Sequence, residues 1–140
     1  MHVFLSYSGE RSERVARALR DWLPSVLHAL KPWVSAHDIQ AGEFWDTSLR
    51  DALRNAEFVI VCITPENRLL PWINYEAGAT AERLGGKLCP YLYKLSVSEL
   101  HSPLNRLQAK AADHDGTLSL IRSLNDKLRQ RANYALKPSY

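Results

Sequence analysis

Short apolar runs alternate with longer amphipathic segments along the first half of the chain. The run at residues 2–5 is followed by helical spacing of apolar residues from about Arg11. Pro24 interrupts that spacing and predicts either a kinked helix or two abutting helices. A short second strand is predicted at residues 32–35. Phe58–Ile63 is unbroken and rich in branched residues, which is typical of a central parallel strand covered on both faces.

The second half continues the alternation with weaker signals. A strand is predicted at residues 88–93, where Pro90 indicates an irregular pairing. Residues 96–107 have the composition of a loop with one helical turn, and a last short strand is predicted near residues 107–111.

Three of the predicted helices have recognisable starts or faces. Asp46 or Thr47 is expected to cap one helix, and Pro71 to occupy the first position of another. Asp115 or Thr117 is expected to cap the last helix. Its apolar face would carry Leu118, Ile121, Leu124 and Leu128. Trp22, in the first helix, is expected in the core.

Five short strands alternating with helices predict right-handed βαβ units and a parallel sheet. The fold class is therefore α/β, a flavodoxin-like five-stranded parallel sheet of order 2-1-3-4-5 with helices on both faces. Ligands of such sheets bind at the carboxyl ends of the strands, where the order switches between strands one and three. The expected site then includes residues 6–9 and 64–71, with Asp38 and Trp45 at its border.

Composition and charge narrow the possible functions. The 140 residues fit one domain with a real core, and 46% apolar with 24% charged residues is ordinary for a globular protein. A net charge of +3 does not favour nucleic acid or an anionic membrane. Cys62 and Cys89 lie in apolar runs and are expected to be buried thiols. No signal peptide or membrane span is recognisable, so a cytoplasmic location is expected.

Several familiar chemistries lack their sequence signatures. Neither phosphate-binding glycine motif is present, and no G-x-S-x-G occurs. A receiver domain needs an acidic cluster after its first strand, where this chain has Ser6, Tyr7 and Ser8. The five histidines lack metal-ligand spacing, so no metal and no resident cofactor are expected.

The stretch after the central strand reads P-W-I-N-Y-E-A-G-A and holds Trp72 and Glu76 four residues apart. On a helix the two side chains share one face. These residues alone fit a core tryptophan beside a solvated glutamate, or an aromatic and a carboxylate at a ligand site. Their place at the predicted switch point favours the ligand site.

Most of the chain resembles a TIR (Toll/interleukin-1 receptor) domain. V-F-L-S-Y-S-G-E is similar to the first box, and W-V-S-A-H-D-I-Q-A-G-E-F-W to the second strand with its BB loop. V-I-V-C-I-T-P-E-N and P-W-I-N-Y-E-A-G-A resemble the third strand and the W-x-x-x-E helix of bacterial TIR proteins. Residues 1–140 are thus identified as a single TIR domain, which could be the N-terminal part of a longer effector.

For that bacterial branch, the resemblance implies cleavage of NAD⁺, as substrate, at the nicotinamide–ribose bond. Glu76 takes the position of the catalytic glutamate. The residues that match positions around the dinucleotide are Ser6, Tyr7, Ser8, Asp38, Trp45 and Trp72, and Arg11 is a candidate phosphate contact.

The resemblance also implies an anti-phage or immune-signalling effector that assembly activates. Self-association through the BB loop would use Ile39, Phe44 and Trp45, and a sensor domain or partner protein would drive clustering. Two other functions stay open: a TIR module that only assembles with other TIR domains, and another N-glycosidic enzyme such as a nucleoside deoxyribosyltransferase.

Overall fold

The computed structural model describes residues 1–34, 55–69, 87–100 and 107–136. Five parallel strands form one sheet in the order β2-β1-β3-β4-β5, which confirms the predicted α/β flavodoxin-like topology. The strands are β1 (His2–Ser6), β2 (Lys31–Val34), β3 (Phe58–Ile63), β4 (Leu88–Leu92) and β5 (Lys110–Ala111). The helices in these ranges are α1 (Glu10–Val26), α2 (His114–Leu136) and a short 3₁₀ helix at Val97–Glu99.

β3 forms the centre of the sheet because all six of its side chains are buried. It pairs with β1 from Val3↔Phe58 to Ser6↔Val61 and with β4 along its other side. Both described helices contribute to the core on one face of the sheet, where their buried residues are Ala16, Leu19, Leu23, Leu120 and Leu124. The opposite face is equally apolar, and Phe4, Val59, Val61 and Leu92 belong to its core.

Neither proline that interrupts a predicted element breaks it. α1 runs continuously through Pro24 to Val26, so the segment is a single helix. The irregular pairing expected at Pro90 was wrong, since β4 keeps an unbroken register with β3. Tyr93 N donates to Ile63 O of β3. By strand alternation, Pro90 N therefore faces away from β3, towards β5, whose pairing with β4 starts only at Tyr91.

Two apolar residues that were expected in the core are largely exposed. Trp22 is 43% exposed, because the inward stripe of α1 runs through Leu19 and Leu23. Leu118 is 39% exposed, because the inward stripe of α2 runs through Leu120 and Leu124. Sequence periodicity identified both helices correctly but placed their buried faces too broadly.

The start of α2 also differs from the expected one. Asp113 caps this helix: its carboxylate accepts a hydrogen bond from Gly116 N at 2.7 Å, and its carbonyl accepts one from Thr117 N at 2.9 Å. The expected caps, Asp115 and Thr117, both lie within the first turn. The cap precedes them because Gly116 must pack against β5, where an added Cβ would lie 2.0 Å from Ala111 O.

Both cysteines are buried free thiols, as expected. Burial raises the pKa of Cys62 and raises that of Cys89 to about 12, so neither is a nucleophile at neutral pH. Among the described residues, no helix combines the length and the apolar composition that crossing a membrane requires.

Candidate functional site

The order in which successive strands are added to the sheet reverses between β1 and β3. A small cavity of about 260 Å³ opens beside the carboxyl ends of these two strands. The lining residues come from the turn before α1, from the first turns of α1 and from the segment after β3. They are Ser8, Gly9, Glu10, Arg11, Ser12, Arg14, Thr64 and Glu66. The cavity is thus at the edge where ligands of doubly wound sheets bind.

Gly9 makes the turn from β1 into α1 possible. Its φ of +90° lies in the region that residues other than glycine rarely adopt. Gly9 occupies the N-cap position of α1. The turn is short enough to keep Ser8 and Ser12 together, and Ser8 N donates to Ser12 Oγ at 3.1 Å. The first turn of α1 is therefore fixed against the end of β1.

A buried asparagine joins the ends of the two strands. Asn67 Nδ2 donates to Ser8 O at 2.8 Å and to Cys62 O at 3.2 Å, while Asn67 Oδ1 accepts from Thr64 N at 2.8 Å. The side-chain amide must have this orientation, because the reverse would direct its oxygen at two carbonyl oxygens. We call these three hydrogen bonds the Asn67 bridge.

The carbonyl of Cys62 explains why side chains are needed here. β1 and β3 are paired only as far as Ser6↔Val61, so Cys62 O has passed the end of the β1 ladder. Ser12 Oγ donates to it at 2.7 Å, in addition to the Asn67 amide. Buried carbonyls need such partners, and here polar side chains replace the missing strand.

Two buried hydroxyls at the same edge have no hydrogen-bond partner among the described residues: Ser6 Oγ and Thr64 Oγ1. Thr64 lines the cavity, where its hydroxyl lies close enough to Glu66 to influence that carboxylate but without hydrogen-bond geometry. By strand alternation, Ser6 shares the sheet face of Phe4. Unpaired buried hydroxyls are costly, so both groups mark this edge as incompletely satisfied.

Charged groups surround the mouth of the cavity. Arg11 Nη1 lies 3.2 Å from Glu66 Oε1, and the guanidinium also lies 5.8 Å from the ring centre of Tyr93. Lys94 Nζ lies 5.6 Å from the same ring centre. The pKa of Glu66 is lowered, first by its own backbone N–H, next by the neighbouring Thr64 hydroxyl, and further by the positive charges of Arg11 and Lys94. Glu66 is therefore ionised at neutral pH.

The structure describes four of the predicted site residues, Ser6, Tyr7, Ser8 and Arg11, and it brings two of them to the cavity. Ser8 and Arg11 line it. Ser6 lies at the end of β1 with its hydroxyl buried, and Tyr7 is buried in the core between the sheet and the helices, where it also interacts with Arg17. Contact of Ser6 and Tyr7 with substrate stays a prediction.

The other predicted site residues lie outside the described residues: Asp38, Trp45, Trp72 and Glu76, together with the proposed association residues Ile39 and Phe44. The described parts show only where the segments that contain them begin. β2 ends at Val34, beside Leu5 of β1, and the segment after β3 is described as far as Leu69. Both segments leave from the carboxyl edge of the sheet.

Sequence reasoning included residues 64–71 in the expected site without giving Thr64 or Asn67 a role, and it missed Ser12, although all three organise this edge. A signal for Asn67 exists in T-P-E-N directly after a buried strand, since asparagine side chains commonly hydrogen-bond to the backbone of turns. Ser12 gives no comparable signal, because its partner Cys62 is 50 residues away in the sequence. Among the described residues, no group of acidic, histidine or cysteine side chains could hold a metal ion.

Comparison with known proteins identifies one family. The family model described as "TIR domain" matches residues 3–130. No curated protein matches the chain. The match spans every strand of the sheet and most of α2, so it includes the whole carboxyl edge.

Proposed function

Since the chain belongs to the TIR domain family, we propose that it is an NAD⁺ nucleosidase that cleaves the nicotinamide–ribose bond, with Glu76 as the catalytic carboxylate. TIR domains associate with other TIR domains, and some of them cleave NAD⁺. The products would be nicotinamide and ADP-ribose or a cyclic isomer of it. The proposed biological role is an anti-phage or immune-signalling effector that is activated by assembly.

One observation carries the proposal beyond family membership. The described chain that leads towards Glu76 in the sequence leaves β3 at the same sheet edge as the cavity and the unpaired Thr64 hydroxyl, and it is described as far as Leu69. A ligand site needs unsatisfied polar groups next to a cavity, and an NAD⁺-cleaving site needs a carboxylate nearby. The described edge supplies the polar groups and the cavity, and the sequence supplies the carboxylate.

The chemistry is compatible with a single carboxylate. Ordinary glycosidases use two, because the departing oxygen needs a proton. The nicotinamide of NAD⁺ is cationic and departs as a neutral molecule, so no general acid is required. A glutamate near the ribose can stabilise the positive charge that develops on the sugar, and it can accept hydrogen bonds from the ribose hydroxyls.

The remaining groups would bind and orient the dinucleotide. Ser8 and Thr64 offer polar contacts in the cavity. Arg11 could meet a phosphate only after leaving Glu66, to which it is now paired. The proposed contacts from outside the described residues are Asp38, Trp45 and Trp72, whose indole rings would stack on a planar base or ring.

The test is release of nicotinamide from NAD⁺ by the purified chain, measured alone and after fusion to an oligomerising scaffold. We expect Glu76→Gln to lower the rate by at least about a hundredfold, as for loss of a charge that stabilises a transition state. Glu82→Gln, which changes the next carboxylate in the same segment, is the matched control and should retain the rate. Undiminished release by Glu76→Gln would refute the catalytic assignment.

A TIR–TIR interaction module without catalysis is the second candidate. Among the described residues, the large aromatics Trp22 and Trp33 are exposed and favour an association surface, because such residues are enriched at protein interfaces. The same assay separates the two functions. No nicotinamide release, even under forced assembly, would favour the module. Release that rises more steeply than the protein concentration would instead show an enzyme activated by self-association.

A further inference from the structure

We propose that Asn67 is a positioning residue: through the Asn67 bridge it fixes the distance between the two loops that bind substrate. One loop carries Ser8 and the other carries Thr64 and leads towards Glu76. This inference rests on the proposed NAD⁺ cleavage. It adds a residue that does not itself touch the substrate.

The side chain of Asn67 connects, by hydrogen bonds, two elements that are distant in the sequence. Asn67 is 1% exposed, and it reaches Ser8, which lies 59 residues earlier. Both protons of its amide are donated and its oxygen accepts one backbone proton, so its hydrogen-bonding capacity is nearly filled. Three hydrogen bonds to three residues restrict the rotation of the Asn67 side chain. The same bonds restrict the movement of both loops.

The bridge also holds the backbone that carries the Thr64 hydroxyl. The segment turns back on itself, since Asn67 N and Arg68 N both donate to Thr64 O, while Thr64 N donates to the Asn67 side chain. The backbone of Thr64 is thus held on both sides, which keeps its unpaired hydroxyl at the cavity. Without the Asn67 side chain, the threonine could rotate to find a partner within the protein.

Ser12 provides a second, smaller connection between the same strands. Its hydroxyl accepts from Ser8 N and donates to Cys62 O. It therefore holds Ser8 by the amide, whereas Asn67 holds Ser8 by the carbonyl. Removal of either side chain should loosen the β1 loop, and removal of Asn67 should loosen the β3 loop as well.

The first experiment compares the steady-state kinetics of NAD⁺ cleavage by Asn67→Ala, Ser12→Ala and Tyr91→Phe. Tyr91→Phe removes one partly buried hydrogen bond, to Thr117, from a different part of the sheet and is the matched control. We expect the KM of Asn67→Ala to rise about tenfold, the KM of Ser12→Ala to rise less, and that of Tyr91→Phe to stay unchanged. A merely destabilised protein would lose active enzyme, which lowers the apparent kcat and leaves KM in place. A wild-type KM in Asn67→Ala would overturn the proposal.

The second experiment uses Asn67→Asp, which keeps the shape of the side chain and changes only its protons. The carboxylate still accepts from Thr64 N, but it faces Ser8 O and Cys62 O without a proton to donate. We expect a raised KM at neutral pH that recovers towards wild type as the pH falls, because the protonated carboxyl can donate to Ser8 O. If Asn67 only fills space, Asn67→Asp will have the wild-type KM at every pH, and the proposal fails.

A third measurement does not depend on activity. Hydrogen exchange of the Thr64 amide, followed by NMR, should be faster in Asn67→Ala and nearly unchanged in Asn67→Asp, because only the alanine removes its acceptor. If the wild-type chain releases no nicotinamide, the proposed function fails, and this exchange pattern alone decides whether the bridge exists. Equal Thr64 exchange in wild type and Asn67→Ala would refute the bridge whatever the kinetics show.

Discussion

The carboxyl edge between β1 and β3 differs sharply from the side of the sheet where β4 and β5 meet α2. At the carboxyl edge, side chains satisfy the backbone and two buried hydroxyls have no partner among the described residues. Around β4, β5 and α2, the polar groups Tyr91 and Lys110 are paired, with Thr117 and Ser119 respectively. Among the described residues, the carboxyl edge therefore holds buried hydroxyls without partners, and the β4–β5–α2 side holds none.

A cavity by itself does not distinguish the proposed functional edge from the rest of the sheet. A larger one, of about 400 Å³, lies where the amino ends of β3 and β4 face α2, and Phe58, Leu88 and Lys127 are among its lining residues. It is on the opposite edge from the switch point, and neither unpaired hydroxyl lines it. Polar groups without partners therefore separate the two regions better than volume does.

The largest expected effect is on the α2 side, where packing stabilises the fold. Leu124 is fully buried against the sheet, so Leu124→Ala should lower the free energy of unfolding by about 2–5 kcal/mol. The matched control on the same helix is Leu118→Ala, which should cost about 1 kcal/mol or less because the side chain is largely exposed. Urea unfolding followed by circular dichroism measures both. Equal losses would contradict the assigned buried face.

A smaller pair of substitutions should act in opposite directions. Thr64→Val removes an unpaired buried hydroxyl and should stabilise the protein by on the order of 1 kcal/mol, while Tyr91→Phe should cost about 1 kcal/mol by breaking its bond to Thr117. Binding should show the reverse: NAD⁺ affinity falls in Thr64→Val and is unchanged in Tyr91→Phe.

Urea unfolding and calorimetric titration of the inactive Glu76→Gln background test this pair. A Thr64→Val variant that is less stable, and that binds NAD⁺ as well as its parent does, would mean that the hydroxyl serves the fold. The contrast between the two regions would then lose its main support.

The smallest expected effect concerns pH. The pKa of Glu66 lies below its ordinary value of 4.5, so its ionised form stabilises the folded state above that value, and this contribution is lost as the pH falls through the lowered pKa. Glu66→Gln should therefore be slightly less stable than wild type at pH 7, with a difference that disappears on acidification. Urea midpoints between pH 7 and pH 3 measure it. If the two proteins differ in urea midpoint by the same amount at pH 7 and at pH 3, a charge effect of the Arg11–Glu66 pair is excluded.

Much of the architecture could be predicted from local pattern. β3 was located to the residue, because an unbroken run of six apolar residues rich in branched side chains is typical of a strand covered on both faces. Its neighbours β1 and β4 were located within one residue at each end. The strand order followed from the regular alternation of elements and the handedness of their connections.

The errors share a cause: sequence periodicity does not show which neighbouring element packs against a residue in the folded protein. Trp22 and Leu118 fit the helical spacing of their segments, yet the sheet covers a narrower stripe than the apolar residues span. Pro90 looked disruptive until the direction of its nitrogen was known. The cap of α2 precedes the expected ones because Gly116 must approach β5.

By itself, the sequence determined the family, the strand order and the identity of Glu76 as the carboxylate to test, because each of these depends on motifs or on local periodicity. Only the tertiary structure decided how the carboxyl edge is held together. Ser8 and Ser12 become neighbours of Cys62, Thr64 and Asn67 because β1 and β3 lie side by side, although the two groups are 50 to 59 residues apart in the chain. The carbonyl of Cys62 lacks a partner on β1 only because the two strands pair and then diverge. The side chains replace that partner.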